Sequence, residues 1–167
     1  MKQSKRNNKG FTITELLVAV AVIIIMAGLA LPRLATAKRE MDVMTLNAYA
    51  REVGLTAQKC LMVRVNDRTI DSVDAAAPKA EETGTYRWIE YNKTDSSKNK
   101  ASKLLFEAGS FDSEVDGSYL IKYKSSDSEI AEVFYSSANS IDRSKLTDYR
   151  SSAEARNADK VGYYNGK

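Results

Sequence analysis

The chain has 167 residues, with 25 Lys and Arg against 22 Asp and Glu, one Cys and no His. Without His there is no His-based triad and no His metal site, and a lone Cys excludes an intramolecular disulfide; no glycine-rich phosphate loop is present either. Acids are plentiful but none is distinctively placed for carboxylate-pair chemistry, so neither an enzyme nor a cofactor is expected.

The positive balance is confined to the start. Residues 1–10 hold Lys2, Lys5, Arg6 and Lys9 and no acid, and the remainder carries 21 basic against 22 acidic residues. Beyond residue 10 the chain is close to neutral, and its charge does not point to nucleic acid.

Lys9-Gly10-Phe11-Thr12-Ile13-Thr14-Glu15-Leu16-Leu17 then opens an apolar run that reaches Leu31, with no charge from Leu16 onward. This is long enough to span a bilayer when the uncharged residues on its N-terminal side are added. An acid at the centre of such a helix costs about 2.5–3.5 kcal/mol, while the ten Leu, Ile and Val residues of the run return roughly 3–6 kcal/mol. The span inserts despite Glu15, which therefore needs a reason. One is local: Thr12-x-x-Glu15 fits a capping box, in which the acid accepts from the N-cap amide.

The other comes from what the stretch resembles. A basic leader, Gly, Phe, Thr-x-Thr-Glu-Leu-Leu and a long apolar helix resemble the class III signal of type IV prepilins and of the related pseudopilins of type II secretion and competence systems, over about the first forty residues. The resemblance implies that a membrane-bound prepilin peptidase cuts between Gly10 and Phe11 and N-methylates Phe11. It also implies that Glu15, then the fifth residue, pairs with a subunit's N-terminal amine during assembly. Cleavage creates a cation that can neutralise the carboxylate in lipid. Pro32 matches the family's usual proline; Thr12-Ile13-Thr14 departs mildly from its commoner Thr-Leu-Ile or Thr-Leu-Val.

The four leader cations place the N-terminus in the cytoplasm and the residues after Leu31 outside, opposed less strongly by Arg33, Lys38 and Arg39. Ala35-Thr36-Ala37 before Lys38 also fits an ordinary secretory cleavage site, and an uncleaved anchor is a further alternative. The apolar stretch is longer than a secretory h-region, and Glu15 stands at its start. Gly28 and Pro32 mark the weakest part of the helix, because Pro32 cannot donate to the carbonyl of residue 28 and Gly28 costs about 1 kcal/mol against Ala. A kink or a melted segment is expected there.

Beyond Pro32 the pattern becomes amphipathic. Leu34, Met41, Ala48, Leu55 and Met62 recur every seven residues, joined by Ala37 and Met44, and this stripe is expected to pack on a sheet. One helix is predicted from about Thr12 to about Asn66, about 80 Å long. Cys60 is read as a small packed residue on it.

Residues 67–118 read as a connecting region. Ala75-Ala76-Ala77-Pro78 among acids predicts an exposed turn or loop, Thr85–Tyr91 a strand, 92–103 a solvated segment, and Ala101–Ala108 a short helix burying Leu104, Leu105 and Phe106. Asp112-x-Glu114-x-Asp116-Gly117 resembles the opening of a calcium loop, but Tyr123 stands where an EF-hand requires Glu. A weak calcium site and a solvated turn are both open readings, and no metal is assigned. Lys93, Lys98, Lys100 and Lys103 form a basic cluster, read as solvated rather than as a DNA contact.

Ser118–Tyr123 and Glu129–Tyr135 read as strands of an antiparallel hairpin across Ser125–Ser128. Ile141, Leu146 and Tyr149 predict one side of a short helix, Ala153–Ala158 a second helix, and Val161–Tyr164 a last strand or docked tail. Nine tyrosines are compatible with an exposed contact surface. The expected fold is α+β and type IV pilin-like, a long N-terminal helix with a membrane-spanning first half packed on a small antiparallel sheet. Its parts are a leader (1–10), a transmembrane or filament-core helix (11–31), an amphipathic continuation (32–66) and a globular head (67–167).

The function this implies is a structural subunit of a type IV pilus or related filament. Its partners would be the prepilin peptidase, other pilin subunits, the cytoplasmic membrane and the assembly machinery. A pseudopilin of a secretion or competence system and a membrane-anchored extracellular binding domain are the alternatives.

Overall fold

A computed structural model describes residues 11–106, 117–138 and 140–166. The chain divides into two units, Met1–Lys38 and Arg39–Lys167. Helix α1 runs Ile13–Asn66, matching the predicted extent, and is helical through both Gly28 and Pro32. In the first unit every described residue is exposed.

In the second unit β1 (Tyr86–Tyr91), β2 (Ser118–Lys124), β3 (Glu129–Ser136) and β4 (Val161–Asn165) form one antiparallel sheet in sequence order. The alternation of β2 sorts its side chains by face. Tyr119, Ile121 and Tyr123 enter the core shared with α1, whereas Leu120 joins Trp88 and Phe134 on the opposite side. That second face is closed by α4 (Leu146–Ser151) and α5 (Ala153–Asp159), through Leu146, Tyr149 and Ala155. The head is thus covered on both faces of its sheet. The Arg150 guanidinium forks onto Glu132, Nε to Oε1 at 3.1 Å and Nη2 to Oε2 at 2.7 Å, fixing α4 to β3.

The face of α1 that meets the sheet is not the predicted one. Val43, Ala50, Val53, Gly54, Ala57, Cys60 and Leu61 are buried, while Leu34, Met41, Met44, Ala48, Leu55 and Met62 are exposed. The reason is distance. A Cβ on Gly162 of β4 would stand 2.0 Å from the Leu46 carbonyl oxygen, and one on Gly54 would stand 2.9 Å from the Tyr164 ring. Helix and strand approach so closely that small residues must line the contact, and the large Leu and Met side chains turn outward. Gly54, a residue that by itself lowers helix propensity, is favoured here by that approach.

Further expectations are corrected. Residues Ile70–Ala76 form helix α2 with Val73 buried, where a loop was expected, and Pro78 follows its end. The segment 92–103 is not wholly solvated: Asn92 and Asn99 are buried and bonded to each other, Asn92 N–H to Asn99 Oδ1 at 2.7 Å and Asn99 Nδ2 to Asn92 O at 3.0 Å. Helix α3 (Lys100–Phe106) buries Ala101, Ser102 and Leu105, with Leu104 and Phe106 only partly covered. Among the tyrosines, Tyr119, Tyr123, Tyr135 and Tyr149 are core residues rather than contact surface.

Gln58 locks α1 to the β2–β3 hairpin. Its Nε2 donates to Ser128 O at 3.0 Å and its Oε1 accepts from Ile130 N–H at 2.9 Å, beside Ser128 at φ +52°. Replacement by Leu strands both backbone groups. Gln58→Leu is expected to cost about 2–3 kcal/mol, read as a lowered urea midpoint of the detergent-solubilised chain with an unchanged slope.

Asp74 of α2 gathers a polar cluster under the sheet, accepting from the Tyr123 hydroxyl at 2.5 Å and from the Ser125 hydroxyl, with Arg87 Nε at 3.9 Å. Burial first, and then the bond to Asp74, push the Tyr123 phenol well above its ordinary value. A phenol whose folded pKa is raised stabilises the fold fully below the unfolded value of about 10 and loses that contribution as pH rises above it. Stability is therefore expected to fall above about pH 10. Tyr123→Phe should flatten that fall; urea midpoints of both chains measured at pH 8 and at pH 11 or above check it.

Candidate processing and assembly site

At the start of α1, Thr12 and Glu15 hold each other. Thr12 N–H and Thr12 Oγ1 both donate to Glu15 Oε2 at 2.9 Å, Glu15 N–H donates to Thr12 Oγ1 at 3.3 Å, and Leu16 N–H reaches Thr12 O at 3.2 Å to begin the helix. This is the reciprocal capping box that the Thr-x-x-Glu spacing allows. Both acceptor bonds use a single carboxylate oxygen. A carboxylate offers about four lone-pair sites, so the cap leaves room for a cation to join.

Phe11, immediately before the cap, is 86 % exposed. From Leu16 to Leu31 the large apolar side chains are exposed. The helix is long and apolar enough to cross a membrane by length and composition. A Cβ on Gly28 would meet nothing within 4 Å, and Pro32 lies inside the helix, with the Thr36 hydroxyl donating to the Pro32 carbonyl at 3.2 Å.

Gly10 lies outside the described residues, as do Asp112, Glu114 and Asp116 of the calcium reading. Among the described residues no group of three His, Cys, Asp or Glu side chains is placed to hold a metal ion. Of the lysine cluster, Lys98 pairs with Glu90 at 3.6 Å and Asp95 at 3.9 Å, and Lys100 and Lys103 belong to α3. Cys60 is buried against the sheet, as read from the sequence. The Leu and Met face of α1 beyond residue 40 turns outward, opposite to the side its period predicts, because no signal of period alone distinguishes a face turned to a sheet from one turned away.

An exposed apolar helix with a capped acid at its head, followed by an α+β domain, is consistent with membrane insertion through the N-terminal helix. Residues 5–31 match the prokaryotic N-terminal methylation motif, the class III signal of type IV pilins and pseudopilins. Neither curated proteins nor solved structures give a match to the chain. Gly10, Phe11, Glu15 and Gly28 fall inside the matched stretch and Pro32 one residue beyond it. The motif supports a type IV pilin-like or pseudopilin precursor and implies processing by a prepilin peptidase and assembly with other pilin subunits. Proteins that carry it are structural rather than catalytic.

Proposed function

We propose that this chain is a structural subunit of a type IV pilus or a related filament. The observation that carries the reading is the methylation motif on an apolar run, Phe11 to Leu31, whose single acid is Glu15. In this reading the leader holds the N-terminus in the cytoplasm and the head outside. Hydrolysis of the Gly10–Phe11 peptide bond frees an amine that is methylated on Phe11. The carboxylate of Glu15 then meets such an amine on another subunit, which compensates both charges within an apolar helix bundle. Gly28 and Pro32 give the helix a place to bend or melt as it leaves the membrane.

The same motif supports a pseudopilin of a secretion or competence system. A single, buried Cys60 favours a filament class whose head has no disulfide. Mechanical shearing of the native cells separates the two. A pilus subunit is recovered in sheared filaments free of membrane, and a pseudopilin stays with the membrane fraction. A chain found only as an unprocessed membrane protein would leave an anchored extracellular domain as the function.

A further inference from the structure

The second unit places all three of its methionines on the outward side of α1. Met41, Met44 and Met62 are 66 %, 68 % and 56 % exposed, and Leu55 between them is 43 % exposed. At about 100° per residue, Met41, Met44, Ala48, Leu55 and Met62 fall within an arc of about 60°, roughly opposite Val43, Ala50, Ala57 and Leu61 on the sheet side. The remaining sulfur of the unit, that of Cys60, is buried. Every exposed sulfur of the head unit therefore lies on one seam.

A spacing of seven keeps side chains on a straight line only against another helix wound in a left-handed crossing. The chain itself supplies the matching surface. Leu16, Leu17, Ile23, Ile24, Leu29 and Leu31 stand 60–69 % exposed, and on leaving lipid they require apolar cover. Thioethers suit such a contact, because methionine adapts its shape to a neighbour. They also make it chemically switchable.

We propose that Met41, Met44 and Met62 form an oxidation-gated seam: as thioethers they receive the apolar helix of a second copy, and as sulfoxides they do not. The proposal rests on the filament reading above. With hydrogen peroxide as oxidant, the thioether sulfur attacks one peroxide oxygen and the O–O bond breaks. Sulfur is oxidised by two electrons to the sulfoxide, and the other oxygen is reduced and leaves as water. The new S–O group is polar, and covering it with an apolar helix leaves it without a partner.

The test uses the full chain in its native cells, treated briefly with hydrogen peroxide, with peptide mass mapping of newly assembled filaments and of the membrane-held pool. Sulfoxide at the three positions is expected to be depleted roughly tenfold in filaments relative to the pool, the penalty of burying an unpartnered polar group. The triple variant Met41→Leu, Met44→Leu, Met62→Leu, which keeps volume and cannot be oxidised at these three positions, is expected to go on assembling under peroxide. Equal sulfoxide in filament and pool, or a triple variant that stops assembling as the parent chain does, overturns the seam while leaving the filament reading intact. A chain that still begins at Met1 and never enters filaments overturns both.

Discussion

Glu15→Gln subunits are expected to insert, to be cut and methylated, and to carry a folded head, yet to yield no filaments. The substitution separates the two roles that the sequence leaves open for this residue. Gln serves the N3 position of a capping box as Glu does, so the bonds with Thr12 survive. What Gln lacks is the charge. If the carboxylate only closes the helix N-terminus, the variant assembles normally. If it neutralises a neighbour's amine in an apolar bundle, its loss leaves that cation uncompensated, at about 3–5 kcal/mol per contact. A cost of that size at each repeated contact abolishes assembly. Electron microscopy of sheared material, alongside the mature mass of the membrane-held chain, reads the two outcomes apart.

Gly162→Val is expected to have the largest effect on the head. Its first added carbon would stand 2.0 Å from the Leu46 carbonyl oxygen and 2.8 Å from the Asn47 amide nitrogen, both backbone of α1. Backbone within a helix cannot yield as a flexible side chain does, so β4 and α1 must separate. Separation also breaks the bond from Tyr163 N–H to Asn47 Oδ1, 2.8 Å long, which caps the outer edge of β4. Overpacking of this kind costs about 3 kcal/mol or more, a fall in melting temperature on the order of 10 °C for a unit of this size. Thermal unfolding followed by circular dichroism measures it. A variant that melts with the parent chain would show that the helix–strand approach is looser than described.

Much of this was legible in the sequence because it rests on local chemistry. The apolar run and the Thr12–Glu15 spacing each act over a few residues, and the Ser125–Ser128 turn between two branched and aromatic runs announced its hairpin. The length of α1 was likewise readable, since no breaker follows Pro32 until Asn66. What failed depended on partners far along the chain. Which side of α1 meets the sheet is decided by how near β4 comes, through Gly162, more than a hundred positions away. Period seven was visible, and the natural inference that the largest apolar side chains mark the core was wrong, because the close contact selects Ala50, Gly54 and Ala57 instead. Helix α2 was hidden for a similar reason: Ile70–Ala76 is short, acidic and poor in large side chains, and Val73 is its one fully buried residue. The buried Asn92–Asn99 pair reads as solvated polar sequence, because nothing local shows that the Asn99 side-chain amide satisfies both the N–H and the carbonyl of Asn92.

The account turns on one covalent event, the cut between Gly10 and Phe11, and intact mass with N-terminal peptide mapping of the chain from its native cell tests it most directly. A mature chain beginning at N-methylated Phe11 is the predicted result. A chain that begins at Met1, or at Lys38 after Ala35-Thr36-Ala37, would contradict it and make this an anchored or secreted domain instead of a filament subunit.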